Sequence, residues 1–356
     1  MHLARTNWCR MRIAAVQHAV PTRRITNDWI LERIREYNRP RMTSLQFEAT
    51  EQRVRQMLES SGTEVRYRLN EGEKAFDFGV EAARQALDAA SVRPQDVDLL
   101  IYAGVVRGWL EPATANLFQG ALGMANATCF DILDACASWL RALQVAHSYL
   151  RSGISRCAMI VNCEHVFSDC YECWDLSAEG AATCRSAIYT LGDASTATVL
   201  VKEPSDDDFY FTFKNFGEHF SLCMVPLSNV HEFAALPASD HYAPMKLFSS
   251  SRELFRITVD KIIDTFESDP NLRSQRYDIG FGHQASEKAS KLIARKLGLP
   301  YDDYFTTHRE YGNTVAASVP LGMSLALRDG RLKRGDRVLV IVGSAGITVG
   351  FAAFTF

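Results

Sequence analysis

Two stretches constrain this chain more than any others. Asp98-Leu99-Leu100-Ile101-Tyr102-Ala103 and Cys157-Ala158-Met159-Ile160-Val161 are almost uninterrupted in apolar residues, and a strand is apolar on both faces only when both are covered. Helical periods lie between such runs. Phe76 to Ala90 stops before Arg93-Pro94, and Ala137 to Leu150 stops before Ser152-Gly153. Buried strands alternating with amphipathic helices predict an α/β chain with much of its sheet parallel.

A polar, acidic stretch, Lys202-Glu203-Pro204-Ser205-Asp206-Asp207-Asp208, separates two apolar runs and divides the chain into 1–204 and 205–356. Each part closes in a similar way. A short glycine loop (Leu191-Gly192-Asp193, Gly343-Ser344-Ala345-Gly346) feeds a terminal strand (Ala197 to Lys202, Val349 to Phe356), which points to a duplicated architecture. With 47% hydrophobic residues among 356, the chain has enough apolar surface for a large core.

Composition also narrows the partners. The 39 Lys and Arg against 42 Asp and Glu leave a net charge of -3 and contain no basic block that could track a phosphate backbone, which argues against nucleic acid. Met1 to Arg12 has no apolar run of signal length, and no segment approaches the ~20 apolar residues that span a bilayer. A cytoplasmic protein without membrane contact is therefore expected. The nine cysteines are scattered and are expected to be reduced thiols. Cys163, Cys170, Cys173 and Cys184 include one Cys-x-x-Cys but no second paired cluster, so no metal is expected. No Gly-x-Gly-x-x-Gly fingerprint or phosphate loop points to a nucleotide cofactor.

Three junctions could carry chemistry. In Phe130-Asp131-Ile132-Leu133-Asp134-Ala135-Cys136-Ala137-Ser138-Trp139-Leu140 a strand runs through small residues into an amphipathic helix, with Cys136 at the turn. A thiol there feels exposed N–H groups that lower its pKa and can hold an oxyanion; a small buried hydrophobe would give the same local pattern. Tyr277-Asp278-Ile279-Gly280-Phe281-Gly282-His283-Gln284-Ala285 is a second strand end, placing His283 before a helix at Ser286 to Leu297. A single such histidine is more often structural. Glu310-Tyr311-Gly312-Asn313-Thr314 is a third, where Asn313 alone would read as a helix N-cap before Val315 to Arg328. Together Cys, His and Asn at the ends of sheet elements form a workable acyl-transfer set.

The chain resembles the β-ketoacyl-acyl-carrier-protein synthase III group of the thiolase superfamily. The match lies in Asp134-Ala135-Cys136-Ala137, Gly282-His283-Gln284-Ala285 and Tyr311-Gly312-Asn313-Thr314-Val315-Ala316-Ala317-Ser318. Leu191-Gly192-Asp193-Ala194, Asp329-Gly330-Arg331-Leu332-Lys333-Arg334-Gly335-Asp336 and Gly346-Ile347-Thr348-Val349-Gly350 extend it, in the family's order, from about Met11 onward. The resemblance implies the thiolase fold: two βαβαβαββ halves forming a five-layered αβαβα sandwich, paired as a homodimer. It implies that Cys136 accepts an acyl group from a coenzyme A or acyl-carrier-protein thioester. His283 and Asn313 would bind the carbonyl of a malonyl-type extender, whose enolate attacks acyl-Cys136 without any cofactor. The alternative keeps the acyl-enzyme but passes the acyl group to a second acyl chain without initial decarboxylation, or to an oxygen or nitrogen acceptor.

The sequence departs from the family at several positions. Ser286 and Lys288 replace the Asn and Arg associated with carrier docking, which leaves Lys288 as the candidate contact. Arg66-Tyr67-Arg68 fits the early motif, making Arg66 a candidate substrate contact, but Leu58 and Gly62 stand where a Trp and an Arg usually clamp adenine. Ala345 replaces a loop glycine whose N–H would serve the oxyanion together with that of Cys136. Glu111, before Pro112-Ala113-Thr114-Ala115, stands where a bulky apolar residue often closes the partner's acyl pocket; an acid there resembles relatives that join two acyl chains or make specialised metabolites such as polyketides, and a solvated loop carboxylate would give the same sequence. The irregular segment Phe220 to Tyr242, with Cys223, Pro226, His231 and His241, is expected at the substrate entrance.

Overall fold

The computed structural model describes residues 9–165, 174–178, 180–204, 209–237 and 242–356. Cys170, Cys173, His241 and the acidic run 205–208 lie outside the described residues. The strands are β1 (Cys9–Ala19), β2 (Arg23–Thr26), β3 (Val65–Arg68), β4 (Leu99–Ala103), β5 (Thr128–Ile132), β6 (Cys157–Glu164) and β7 (Ala194–Pro204). They continue as β8 (Tyr210–Asn215), β9 (Cys223–Met224), β10 (Phe248–Ser249), β11 (Ile279–Gly282), β12 (Tyr304–Phe305), β13 (Arg337–Ser344) and β14 (Thr348–Thr355).

Ten of these strands make two five-stranded sheets, β1-β7-β6-β4-β5 and β8-β14-β13-β11-β12. In that order both sheets pair alike: two antiparallel contacts followed by two parallel ones. One ladder is thus built twice from successive parts of the chain. The two-face burial expected of the apolar runs divides their residues by parity. Leu99, Ile101 and Ala103 join a central core, whereas Leu100 and Tyr102 join an outer one.

That central core holds helices Ser138–Ser152 and Ser318–Arg328 between the sheets, with Trp139, Leu143, Met323 and Ala326 packed on β1, β4 and β6 on one side and β11, β13 and β14 on the other. Helices Ala75–Ala90 and Thr114–Leu122 cover the outer face of the first sheet. Ser251–Glu267 and Glu287–Lys296 cover the second. The result is the five-layered arrangement expected from the resemblance. Arg334 reaches across to donate to the carbonyls of Ile13 (2.8 Å) and Ala14 (3.0 Å), where the β1 register shifts.

Two elements extend beyond their sequence signal. β6 continues past Val161 through Asn162, Cys163 and Glu164, all buried. Thr196 donates to Asn162 Oδ1 at 3.1 Å while Asn162 donates to the Ala103 carbonyl, and such pairing lets a polar side chain stay in a covered strand. Between Glu218 and Ser250 the described residues form only short elements, among them β9 pairing antiparallel with β10.

Trp139 is fully buried and donates from Nε1 to Thr198 Oγ1 at 3.0 Å. Trp139→Ala is expected to cost ~3–5 kcal/mol of stability, measured by denaturant unfolding, through the cavity it leaves and the orphaned hydroxyl.

Candidate functional site

The chain leaves β5 through Leu133 and Asp134, makes a single turn at Ala135–Ala137, and enters the central helix at Ser138. Ala135 has φ +43°, a left-handed conformation that a residue with a Cβ adopts only when its surroundings hold it there. Several bonds do so. Ser138 Oγ donates to the Ala135 carbonyl (2.7 Å) and accepts from Asp134 N (2.8 Å). Ser344 Oγ, at the end of β13, donates to the Asp134 carbonyl (3.0 Å) and accepts from Ala137 N (3.3 Å). Thr348 and Arg141 fix the Asp134 carboxylate at 3.0 and 3.1 Å. Cys136 thus sits on a turn tied into both sheets.

Asn313 is positioned by a crossing of two segments. Its N–H donates to the Thr190 carbonyl (2.8 Å) and its carbonyl accepts from Gly192 N (3.0 Å), a parallel bridge between the two parts of the chain. Only glycines fit there. A Cβ on Gly192 would lie 2.0 Å from the Tyr311 carbonyl oxygen, and one on Gly312 (φ +69°) would lie 2.4 Å from that of Thr190. Asn313 Oδ1 accepts from Val315 N at 2.9 Å, so its amide nitrogen is left to donate.

Val315 joins this residue to His283. It has φ +51°, unusual for a β-branched side chain, and its backbone carbonyl hydrogen-bonds the His283 ring. Ser318 Oγ lies 3.5 Å from Nδ1 of that ring and donates to the Val315 carbonyl at 2.9 Å. The turn Val315–Ala317 packs directly on the turn Ala135–Ala137. Cys136, His283 and Asn313, predicted from three separate junctions, are therefore carried by adjoining turns.

Electrostatics in the site run against ionisation. Burial lowers His283 to about 4, so the ring is neutral near pH 7. Burial also pushes the Cys136 thiol well above the ordinary thiol range; the nearby Cys223 and Glu164 add to this, and a backbone hydrogen bond at Cys136 opposes them. The sequence-based expectation of an acidified thiol is reversed here because desolvation outweighs the N–H groups of the turn.

The other candidates are dispersed. Ala345 directly follows Ser344 and is half-buried beside the nucleophile turn. Arg66 is fully buried, donates to Asn27 Oδ1 at 2.8 Å and backs Gly192 and Gly312, beneath the crossing rather than on an open face. Leu58 is core, and Gly62 caps the helix Ser44–Ser61 against Glu287. Ser286 caps the next helix through Ala289 N (3.2 Å), and Lys288 is exposed on its first turn. Glu111 is exposed on the loop whose following helix is capped by Asp131 of β5, at 2.7 Å from Thr114 N and 2.9 Å from Ala115 N. Of the irregular segment, Cys223 lies close enough to the nucleophile to oppose its ionisation, Pro226 is buried and His231 is exposed. Sequence reasoning missed Glu164 altogether, although an acid at the end of an apolar run was its available signal. No cluster of metal-ligating side chains is present among the described residues, and no helix there is long and apolar enough to cross a membrane.

The family model for 3-oxoacyl-[acyl-carrier-protein (ACP)] synthase III matches residues 130–216, and that for its C-terminal part matches 268–356. The β-ketoacyl-[acyl-carrier-protein] synthase III of Rhizorhabdus wittichii is 32% identical over 305 residues, covering 84% of this chain and 90% of its own length. That of Clostridium perfringens is 28% identical over 319 residues, with coverage of 85% and 93%. Xanthomonas campestris OleA, solved with bound lauric acid and lauroyl-CoA, aligns with TM-score 0.82 at 22% identity over 98% of this chain and 100% of that one. The synthase III of Aquifex aeolicus VF5 aligns with TM-score 0.78 at 23% identity, over 97% and 100%. These structural likenesses show the thiolase fold.

The lowered value of His283 has a testable sign. A base held neutral in the fold contributes stability that is fully present above its unfolded value near 6.5 and is lost as pH falls toward about 4. Proton NMR of the His283 ring is expected to show its inflection near pH 4, and His283→Gln is expected to flatten the loss of stability between pH 6.5 and 4.

Proposed function

The chain belongs to the 3-oxoacyl-[acyl-carrier-protein] synthase III family and is an acyltransferase of the ketosynthase type, and from that premise we propose a two-stage condensation centred on Cys136. In the first stage Cys136 Sγ, as thiolate, attacks the carbonyl of an acyl thioester. The backbone N–H groups of Cys136 and Ala345 receive the oxyanion, and the donor leaves as a thiol carrying the proton that Cys136 gives up, so that acyl-Cys136 remains. In the second stage a malonyl-type thioester loses carbon dioxide. His283 and Asn313 hold its carbonyl oxygen as the enolate develops, the enolate carbon attacks acyl-Cys136, and the Cys136 thiolate leaves. No cofactor is needed for either stage.

One observation carries this reading: the Val315 backbone bonds both His283 and Asn313 on a turn packed against the one that bears Cys136. Two neutral donors beside a buried thiol suit stabilisation of an enolate. Lys288 is assigned to the docking surface for a carrier-bound thioester, and Arg66 to support, from beneath, of the crossing that holds Asn313. The halves divide at 204/205, and the protein works in the cytoplasm on fatty-acid-like or polyketide-like products.

The second reading is favoured by Glu111. An exposed carboxylate on a loop tied to β5 suits an enzyme that joins two acyl chains without initial decarboxylation and whose loop reaches a partner's site. β5 is the edge of its sheet, flanked by Leu110 (75% exposed), Leu133 (60%) and Trp109 (38%). An open edge with an apolar flank supports pairing with a second copy, and hence a homodimer. Leu133→Asp is expected to convert a dimer to monomer by light scattering; a monomeric wild type at micromolar concentration contradicts that assembly.

His283→Ala and Asn313→Ala are each expected to keep acyl loading of Cys136 while slowing condensation by about 10²-fold or more. Loss of loading in both variants contradicts their assigned roles. Carbon dioxide released in step with product from malonyl thioester supports the first reading, and product without it supports the second.

A further inference from the structure

Glu164 ends β6 with 2% of its surface exposed, and neither stage of the reaction above uses it. Its Oε1 accepts from Val105 N at 3.0 Å, and the N–H groups of Val106 and Ala316 lie close enough to favour its charge. Gly104 makes room for it, since a Cβ there would lie 2.9 Å from Oε1. Its second oxygen is buried without a hydrogen-bond partner among the described residues. One carboxyl therefore joins the loop that follows β4 and leads toward Glu111 to the turn that follows Asn313.

Among the described residues, Glu164 opposes ionisation of Cys136 on the nucleophile turn, Tyr102 on β4 and Cys163 on β6 itself. The turn Val315–Ala317 presents only backbone. Three N–H donors favour the carboxylate, whereas burial favours the acid and dominates, raising the group to about 7. A carboxyl so balanced gains its charge within the working range of a cellular enzyme.

We propose that Glu164 is a positioning residue of this site, which from its place between the two loops governs how readily Cys136 becomes thiolate; the proposal rests on Cys136 being the nucleophile. Ionised Glu164 puts a second negative charge beside the thiolate and opposes it, whereas the neutral acid does not. The two groups then titrate as a coupled pair.

Alkylation of Cys136 by iodoacetamide, followed on its own peptide in the full-length protein, reports the thiolate without any acyl donor. In the wild type the logarithm of the rate is expected to climb with pH, bend downward near pH 7 and climb again. Glu164→Gln removes the bend and makes alkylation roughly three- to tenfold faster at pH 8.5. Gly104→Ala displaces the carboxyl from Val105 N, removes a bond that favours the carboxylate and moves the bend to higher pH. That variant keeps Glu164 and gives the answer if Glu164→Gln does not fold. A profile unchanged in the folded variant overturns the proposal. Expected profiles together with no acyl loading from any thioester leave the coupling standing and count against the ketosynthase reading alone.

Discussion

The site depends on a crossing at which neither chain can carry a side chain. Gly192 and Gly312 pass so closely that a Cβ on either would strike the other segment's backbone, and the bridge they permit fixes Asn313 through main-chain bonds to Thr190 and Gly192. A residue held by its own backbone has few ways to drift, which is what orienting a reacting carbonyl requires. The crossing also explains why the glycine loop at the end of the first half matters to chemistry in the second. Without it the two sheets would still stack, but the third polar group would not be registered against the first.

A second constraint is the strain at Ala135 and Val315. Both turns precede central helices, both hold a positive φ in a residue with a Cβ, and they pack on each other. Side-chain bonds from Ser138 and Ser344 sustain one, and those from Asn313 and Ser318 sustain the other. The duplicated fold thus delivers two equivalent strained turns to the centre, one bearing the thiol and the other following the amide. Their burial explains the electrostatics of the site: a neutral imidazole and a thiol that burial holds protonated.

Much of this was legible in the sequence, and the physical reasons differ from one part to another. Strands covered on both faces leave a continuous apolar signature, so the runs at Asp98 and Cys157 disclosed the sheet at once. The three junctions were legible because each motif is local. What could not be read depends on partners distant in sequence. β6 outlasts its apolar run because Thr196 and Ala103 pair with Asn162, and Glu164 gains meaning only beside Gly104, Ala316 and Cys136. The expectation about Cys136 failed for the same reason: local sequence shows the turn's N–H groups but not the burial that outweighs them. Arg66 looked like a ligand contact from its motif, yet its place beneath two glycines is a fact of packing.

The central claim is that Cys136 carries the acyl group. Intact-protein mass spectrometry after incubation with a panel of acyl-coenzyme A and acyl-carrier thioesters tests it directly, with Cys136→Ala alongside. The account predicts a mass gain equal to one acyl group in the wild type and none in the variant. An equal gain in both, or none from any thioester in a folded wild type, would contradict it.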